Sequence, residues 1–502
     1  MNNKKSPERL VKLAEKQFCK MIRYRVIAWL VKLQVSERLS WVEKVTVVNS
    51  ILSLCLKLRE LLISLPDPAC RELSKSAFRI VTNIIAKYNN VNRSRINNFV
   101  FRRLHYDVCL HLLSAVYLPC LEECNFKEIW SEFLQELLSQ SLPLNPNIKR
   151  LILPLTLCLN VSRFVVSNLQ RLILLQEFRS EFCCTTDIAI ELGRHCILLK
   201  ILDVTHSTFV TDGCVEYLLN LTNLEKLNIT GTEISERSYA LLLSRLPRIQ
   251  NIHWRGAVEG ILRNISVECL PLLTEFSGTV FDPSLLTRKC PGIKNLKVSL
   301  QNPNALKLVL LNDIVSLELG NCDYISSNLD ILVQVNGSKL KKLHLFMVRN
   351  VNLSEIIKCC YFLKVFIITS CEVRRPKRII CPKSQHFMSV TVMALQGKNI
   401  FENIQSYLHY YINLKVFHAE SIPEINDVTL SLILNLGGFR NLSEIILSSC
   451  GSLTLQTAQS LIKECVSLGV LGKVKTWLGF TDADRKKLFD FVKSNNLVLN
   501  VK

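Results

Sequence analysis

Cysteine and histidine are the residue types whose spacing in this sequence could support metal chemistry. Among the 20 cysteines, Cys120 and Cys124 are separated by three residues, and Cys381 is followed by His386 after four. Each spacing approaches one half of a structural zinc site, in which four ligands surround the ion. Neither pair has a second pair at the spacing of a zinc finger. We therefore predict neither a metal site nor a cofactor.

The sequence carries no common catalytic motif. It lacks the glycine-rich loops that bind nucleotides, the G-x-S-x-G turn of serine hydrolases and the H-E-x-x-H pair of zinc proteases. His253, His344 and His418 share one position of a repeated segment, but their repeats are far apart, so we interpret them as surface contacts. Because catalysis needs groups that converge in one pocket, we predict that the protein is not an enzyme.

The composition indicates a globular protein. The 502 residues are 49% hydrophobic and 21% charged, which excludes a disordered chain, since such chains combine low hydrophobicity with high charge. No apolar run reaches the ~20 residues of a membrane-spanning helix, and the first residues lack the apolar core of a signal peptide. We expect an intracellular protein, cytoplasmic or nuclear, without a membrane span, whose cysteines remain thiols.

The net charge of +20 is typical of proteins that bind nucleic acid or anionic membranes. The basic residues are dispersed along the chain, however, and we do not expect nucleic acid as the partner. One dense cluster, Arg374–Arg378, is interpreted either as a nuclear import signal or as a solvated loop. The basic segment from Lys4 to Arg25 predicts an amphipathic helix that lies on a membrane, binds calmodulin or caps a core with its apolar side.

A repeated apolar pattern runs from about residue 148 onward. The pattern is LxxLxL, and we call its first residue the anchor. Clear copies begin at Leu199, Leu224, Ile293, Leu340, Leu363 and Leu414. Weaker copies begin at Ile148, Leu169, Ile249, Leu273, Ile314, Phe387, Leu442 and Leu468. Their spacing of roughly 25 residues falls within the range of leucine-rich repeats.

Each copy predicts one strand–helix unit. LxxLxL forms a short strand with alternate residues pointing inward, and the chain returns as a helix, as in the stretch after the candidate N-cap Asp212. Such a unit buries its apolar face only against its neighbours. We therefore predict an α/β fold: a leucine-rich-repeat solenoid (horseshoe) of about 14 repeats over residues 146–476, with a C-terminal cap over 477–502.

Cysteines occupy fixed positions in these repeats. Four lie three residues before an anchor: Cys196, Cys290, Cys360 and Cys465. Three lie eight residues after one: Cys322, Cys371 and Cys450. The combined pattern C-x-x-L-x-x-L-x-L-x-x-C resembles the repeats of F-box/leucine-rich-repeat proteins. The resemblance implies a non-catalytic, protein-binding substrate-recognition subunit of a cullin–RING ubiquitin ligase. A scaffold unrelated to ubiquitin and a basic nucleic-acid-associated factor are the alternatives.

Residues 1–145 lack the repeat and predict an all-helical N-terminal domain. No segment of this domain matches an F-box. Ser50–Leu58 and the Leu65–Pro68 stretch after it are similar to the elongin-binding and cullin boxes of ubiquitin-ligase adaptors. This similarity implies that the domain recruits Skp1 or elongin, together with a cullin, through four residues: Ile51, Cys55, Leu65 and Pro66. Packing of the same residues in the helical core is the alternative.

The repeat pattern also predicts a partner-binding surface. Residues three, five, seven and eight of each repeat face the concave side. In the middle repeats these residues are Asp203, His206, Lys226, Asn228, Asn251, His253, Arg255, Asn295, Lys297, Glu318, Asn321, Lys342, His344 and Phe346. Their mixed charge suits a protein partner better than DNA, and Arg255 and Phe346 are the strongest candidates for binding energy. A solvated stripe, with the partner bound elsewhere, is the alternative.

Overall fold

The computed structural model describes residues 7–92, 99–127, 129, 137, 145–155, 159–300, 305–374, 389–397, 400–408, 411–495 and 499–501. The chain forms two compact units, Met1–Ile249 and Gln250–Lys502. Both units contain parallel strands that alternate with return helices, which confirms the predicted leucine-rich-repeat fold. No described helix is long and apolar enough to cross a membrane.

The first unit begins with four long helices, as predicted for the N-terminal region. They are α1 (Pro7–Val35), α2 (Trp41–Ile63), α3 (Asp67–Asn92) and α4 (Phe99–Val116). Helix α2 starts at a capping box, in which the Ser40 hydroxyl accepts from the Glu43 N–H and the Glu43 carboxylate accepts from the Ser40 N–H. Helix α1 packs against α3, and α2 packs against α4.

The apolar residues of these helices follow helical spacing. In α1 the buried side chains include Val26, Leu30 and Leu33. In α2 they are Val48, Ile51, Cys55, Leu58 and Leu62. Steps of three and four residues place each set along one face of its helix, so the two sets form the helical core of the first unit.

A five-stranded parallel sheet completes the first unit. Its strands are β1 (Glu123–Asn125), β2 (Arg150–Ile152), β3 (Glu177–Arg179), β4 (Ile201–Asp203) and β5 (Lys226–Asn228), in chain order. The return helices are α5 (Leu159–Leu169), α6 (Thr186–His195), α7 (Val215–Leu218) and α8 (Glu236–Arg245).

Strand β1 lies inside the region that was predicted to be entirely helical. Leu121, Cys124 and Phe126 are buried at the first, fourth and sixth positions of one more repeat. Cysteine and phenylalanine replace two leucines of the pattern there, which hid this repeat in the sequence. The parallel ladder therefore begins before residue 146, because β1 pairs with β2 in register. The domain boundary at 145/146 stays a prediction.

The second unit contains an eleven-stranded parallel sheet in chain order. Its strands are β6 (Asn251–Ala257), β7 (Glu275–Val280), β8 (Asn295–Leu300), β9 (Ser316–Asp323), β10 (Lys342–Arg349), β11 (Val365–Thr369), β12 (Val392–Gln396), β13 (Val416–Glu420), β14 (Glu444–Ser448), β15 (Val470–Gly472) and β16 (Asn500–Val501). Its α-helices are α9 (Glu259–Asn264), α10 (Pro283–Lys289), α11 (Leu329–Asn336), α12 (Leu353–Cys359), α13 (Phe401–Leu408), α14 (Asp427–Asn435), α15 (Leu455–Glu464) and α16 (Asp482–Ser494).

The anchors behave as predicted in most repeats, and two of them shift. In β10, for example, Leu340, Leu343 and Leu345 are all fully buried. Strand β3 follows Leu175, whereas the predicted anchor Leu169 ends helix α5. Strand β12 follows Val390 at anchor spacing, and the predicted anchor at position 387 lies outside the described residues.

Left-handed backbone marks the eighth residue of many repeats, counted from the anchor. These residues are Phe182, His206, Gly231, Asn321, Met347, Ser370, Gly397, Ser421 and Ser449. The turn directs the ninth residue inward, where Cys322, Cys371 and Cys450 are buried. The eighth residue falls outside the pairing register, since pairing between β9 and β10 passes from Gly320–Phe346 directly to Cys322–Val348.

The environments of two buried thiols predict different responses to serine. The Cys290 sulfur has no hydrogen-bond partner among the described residues, and burial raises the pKa of this thiol to about 12. The Cys371 sulfur accepts from the Val348 N–H at 3.4 Å and donates to the Thr369 carbonyl at 3.4 Å. We expect Cys290→Ser to lower the free energy of unfolding by ~1–3 kcal/mol and Cys371→Ser by less, because only the second hydroxyl finds partners.

Urea unfolding of the full chain measures both changes, with alanine at each position as the control for lost volume. Equal losses for the two serine variants would contradict the expected role of the hydrogen bonds.

Candidate functional site

The open face of the second sheet, opposite its return helices, carries the third and fifth residues of each repeat. Parallel pairing places equivalent residues side by side across the strands. The third residues form one row: Asn251, Glu275, Asn295, Ser316, Lys342, Val365, Val392, Val416 and Glu444. The fifth residues form another: His253, Ser277, Lys297, Glu318, His344, Ile367, Ala394, His418 and Ile446. These rows contain seven of the predicted partner-binding residues: Asn251, His253, Asn295, Lys297, Glu318, Lys342 and His344.

An ionic cluster lies across β8, β9 and β10 on this face. Lys297 Nζ lies 2.6 Å from Glu318 Oε1, and His344 Nδ1 lies 3.5 Å from Glu318 Oε2. Burial raises the pKa of Glu318, but the hydrogen bond from Lys297 and the positive charge of Lys297 lower it overall. Burial lowers the pKa of His344, so this imidazole is neutral near pH 7. The cluster is therefore largely compensated in charge.

Phe346 lies at the end of β10 beside this cluster. Its ring packs over Gly320 of the neighbouring strand. This contact requires glycine at position 320, because a Cβ there would overlap the ring and the Phe346 carbonyl. The Phe346 and His344 ring centroids are 5.8 Å apart. Phe346, which was predicted to be an exposed aromatic residue, is thus half-buried. Its ring occupies the space that a side chain at position 320 would fill.

Two predicted residues occupy irregular backbone. Arg255 is exposed within β6, where the pairing register shifts between His253 and Ala257. Asn321 has positive φ, and its amide donates to the Ser299 hydroxyl at 2.8 Å. Both side chains therefore depart from the two straight rows of the open face.

The predicted stripe does not continue through one sheet, because β5 ends the first sheet and β6 begins the second. In the first unit, Arg150 Nε lies 2.9 Å from Glu177 Oε2, and Arg179 contacts Glu177 at 2.6 Å and Asp203 at 3.2 Å. Asp203 is buried in this ladder. The charges on this sheet therefore compensate one another across neighbouring strands.

The three other predicted residues of the first unit are also engaged with neighbours. The His206 ring stacks on Phe182 with centroids 4.9 Å apart. Asn228 accepts a hydrogen bond from the Thr230 hydroxyl at 3.1 Å. Lys226 is half-buried and has an interaction partner. The local contacts of this sheet thus account for its polar side chains.

The open face of the second sheet also carries an apolar patch that the repeat pattern did not predict. We define the apolar patch as five half-buried residues of β11 to β13: Val365, Ile367, Val392, Ala394 and Val416. Pairing in register brings them together across three repeats. The sequence carries a signal, since the strand Leu363–Ile368 has apolar residues on both faces, whereas a strand with one solvated face alternates.

The similarity to an elongin-binding box maps onto α2. Ile51 and Cys55 are buried, and burial raises the pKa of the Cys55 thiol to about 12. The Arg59 guanidinium donates to the Ser114 and Tyr117 carbonyls near the end of α4 and joins the two helices. A partner therefore cannot reach Ile51 or Cys55 in this conformation, which corrects the expectation that they contact an adaptor.

The two other residues implied by that similarity follow α2. Leu65 is half-buried, and Pro66 is exposed directly before α3. These two residues are accessible to a partner, and their assignment to adaptor binding stays a prediction.

The candidate zinc ligands do not converge in the described residues. Cys124 is buried in β1, whereas the Cys120 sulfur lies 3.6 Å from the Cys70 sulfur. No group of three or more metal-binding side chains occurs within the described part of the chain. Residues 381–386 lie outside it. Of the basic cluster, Arg374 is exposed, and residues 375–378 also lie outside the described ranges.

Comparisons with known proteins yielded structural similarities alone, since no family model and no curated protein matches this sequence. An internalin of Listeria monocytogenes is 14% identical with a TM-score of 0.39, covering 66% of this chain and 88% of that one. A leucine-rich-repeat protein of Leptospira interrogans is 11% identical with a TM-score of 0.32, covering 78% and 91%. The yeast Rad7–Elc1 complex is 14% identical with a TM-score of 0.36, covering 90% of this chain and 94% of that one. TM-scores this low carry no argument about function.

Proposed function

We propose that this protein is a non-catalytic, protein-binding leucine-rich-repeat protein that uses the open face of its second sheet. The apolar patch is the observation that carries the proposal. A contiguous apolar surface with polar neighbours is typical of protein interaction sites. The Lys297–Glu318–His344 cluster borders the patch on one side, and His418 with Glu444 at 3.0 Å borders it on the other.

The composition of this face favours a protein partner. Its basic side chains alternate with carboxylates and apolar residues, whereas a nucleic-acid surface needs Lys and Arg directed at phosphates. Apolar side chains at the centre and hydrogen-bonding groups at the rim match the usual arrangement of a protein interface. Phe346 adds a ring whose position is already held over Gly320.

A lysine in the apolar patch provides the test. We expect Val392→Lys to weaken binding of the partner at least tenfold, because the ammonium group would lose its hydration in the interface. The melting temperature should stay close to that of the wild type, because a lysine stem can lie along the sheet and keep its charge in water. The control is Val428→Lys, which places the same change on the exposed side of α14.

The partner is first identified by affinity purification with the wild-type chain, and its affinity is then measured with the purified variants. Arg255→Glu and Phe346→Ala extend the test toward the polar end of the face. Full binding by all three variants, each with an unchanged melting temperature, would remove the open face from consideration.

We further propose that the partner is a substrate and that the protein acts in a cullin–RING ubiquitin ligase. Support comes from the C-x-x-L-x-x-L-x-L-x-x-C repeats, with Cys322, Cys371 and Cys450 buried at the ninth position. In this proposal residues 1–145 recruit the ligase core, residues 146–476 bind the substrate and residues 477–502 cap the repeats. Because Ile51 and Cys55 are buried, recruitment uses other residues of the helical region.

Co-purification distinguishes the ligase from its alternatives. Stoichiometric Skp1, elongin or cullin supports the ligase proposal, and a partner protein without any of them supports a scaffold unrelated to ubiquitin. Nucleic acid that dissociates as salt is raised would favour a nucleic-acid-associated factor.

A further inference from the structure

Helix α1 has two apolar faces, and only one of them belongs to the core. Val26, Leu30 and Leu33 are buried on the inner face. On the outer face Tyr24 is 69% exposed, Val31 is 50% exposed and Val35 is 66% exposed. Ile27 is also exposed between them. Steps of three and four residues align these four side chains along the helix, and we call them the outer stripe.

Basic residues border the outer stripe on both sides. At 100° per residue, Arg23 lies along one edge of the stripe, and Arg25 and Lys32 lie along the other. All three side chains are exposed, and none has an ion-pair partner among the described residues. The segment from Lys16 to Val35 contains no aspartate or glutamate. The stripe is therefore an apolar surface within a purely positive border.

The exposed apolar surface continues beyond the end of α1. Leu39, Trp41 and Val42 are exposed in the turn to α2 and at the start of that helix. Tyr24 and Trp41 each combine an apolar ring with one polar group, the combination that is enriched where hydrocarbon meets water. The exposed apolar side chains thus extend over more than one helix face.

We propose that the outer stripe, together with the turn that follows it, binds the surface of an anionic membrane. An amphipathic surface of apolar and aromatic side chains, bordered by Lys and Arg, is suited to the boundary between anionic headgroups and acyl chains. A second copy of the chain would place one basic border against another. An acidic partner helix would cover the stripe but not the exposed residues beyond it.

Vesicle co-sedimentation of the full chain tests this proposal. We expect binding to phosphatidylcholine vesicles containing about one quarter phosphatidylserine, and at least tenfold weaker binding to phosphatidylcholine alone. Raising the salt from about 0.1 M to about 0.5 M should weaken binding, because the attraction to the headgroups is screened. Failure of the wild type to sediment with the anionic vesicles would overturn the proposal. This holds even if an acidic protein is found to bind the outer stripe.

Two pairs of variants separate this surface from general charge effects. Val31→Glu with Val35→Glu should reduce vesicle binding at least tenfold, whereas Val428→Glu with Val466→Glu adds equal charge in the second unit and should change it little. Val428 and Val466 are 68% and 91% exposed. Arg25→Gln with Lys32→Gln should also weaken vesicle binding about tenfold. Its control, Lys358→Gln with Lys463→Gln, removes equal charge in the second unit and should change vesicle binding little. Equal losses within either matched comparison would overturn the assignment to α1.

Discussion

Ile51→Asp is expected to unfold the helical part of the first unit. The Ile51 side chain is 0% exposed and lies on the buried face of α2, which packs against α4. A carboxylate at this position would lose its hydration without gaining a partner, and we expect the free energy of unfolding to fall by ~4 kcal/mol or more. Far-UV circular dichroism during urea unfolding of the full chain measures the loss.

Leu56→Asp provides the matched control on the same helix, because Leu56 is 58% exposed. It introduces the same charge and should leave the unfolding curve almost unchanged. A folded Ile51→Asp variant that loses only an elongin or cullin partner would contradict the core assignment and restore the adaptor-box interpretation. The two variants therefore distinguish the alternatives that the sequence left open for this residue.

Acid should destabilise the first unit through His105. Its imidazole is buried in α4, its ring stacks on Tyr88 with centroids 5.0 Å apart, and Nε2 lies 3.7 Å from the Cys109 sulfur. Burial lowers the pKa of His105 from its usual value of 6.5 to about 4. Between these two values the unfolded chain binds a proton that the folded chain excludes. The contribution of this group to stability is therefore present above pH 6.5 and is lost as the pH falls toward 4.

The pKa difference predicts a loss of about 2 kcal/mol in the free energy of unfolding between pH 7 and pH 5 from this residue. Urea unfolding at the two pH values measures it. His105→Phe retains an aromatic ring against Tyr88 but cannot titrate, so its pH dependence should be flatter by that amount. His111→Phe is the control, because His111 is exposed on the same helix. An unchanged slope in His105→Phe would contradict the prediction.

The sequence alone determined the repeat class and most of the strand positions. Leu340, Leu343 and Leu345 show why the strands could be located. The inward-facing residues of each repeat lie within six consecutive positions, and the geometry of a strand depends only on such neighbouring residues. Cysteines at the ninth position were also interpretable, because the buried turn that they occupy recurs in many copies. The repeat at β1 was missed where Cys124 and Phe126 replace the expected leucines.

Only the tertiary structure decided which apolar side chains are exposed to a partner and which residues of distant strands lie side by side. The helical pattern of α2 identifies Ile51 and Cys55 as one apolar face, but whether that face meets α4 or a partner depends on a helix about 60 residues away. The apolar patch depends on pairing between Ile367, Ala394 and more distant strands, which no single repeat specifies. The break between β5 and β6 likewise depends on interstrand pairing. Local periodicity determines which side of an element is apolar, whereas packing between distant segments determines which apolar side remains available to bind.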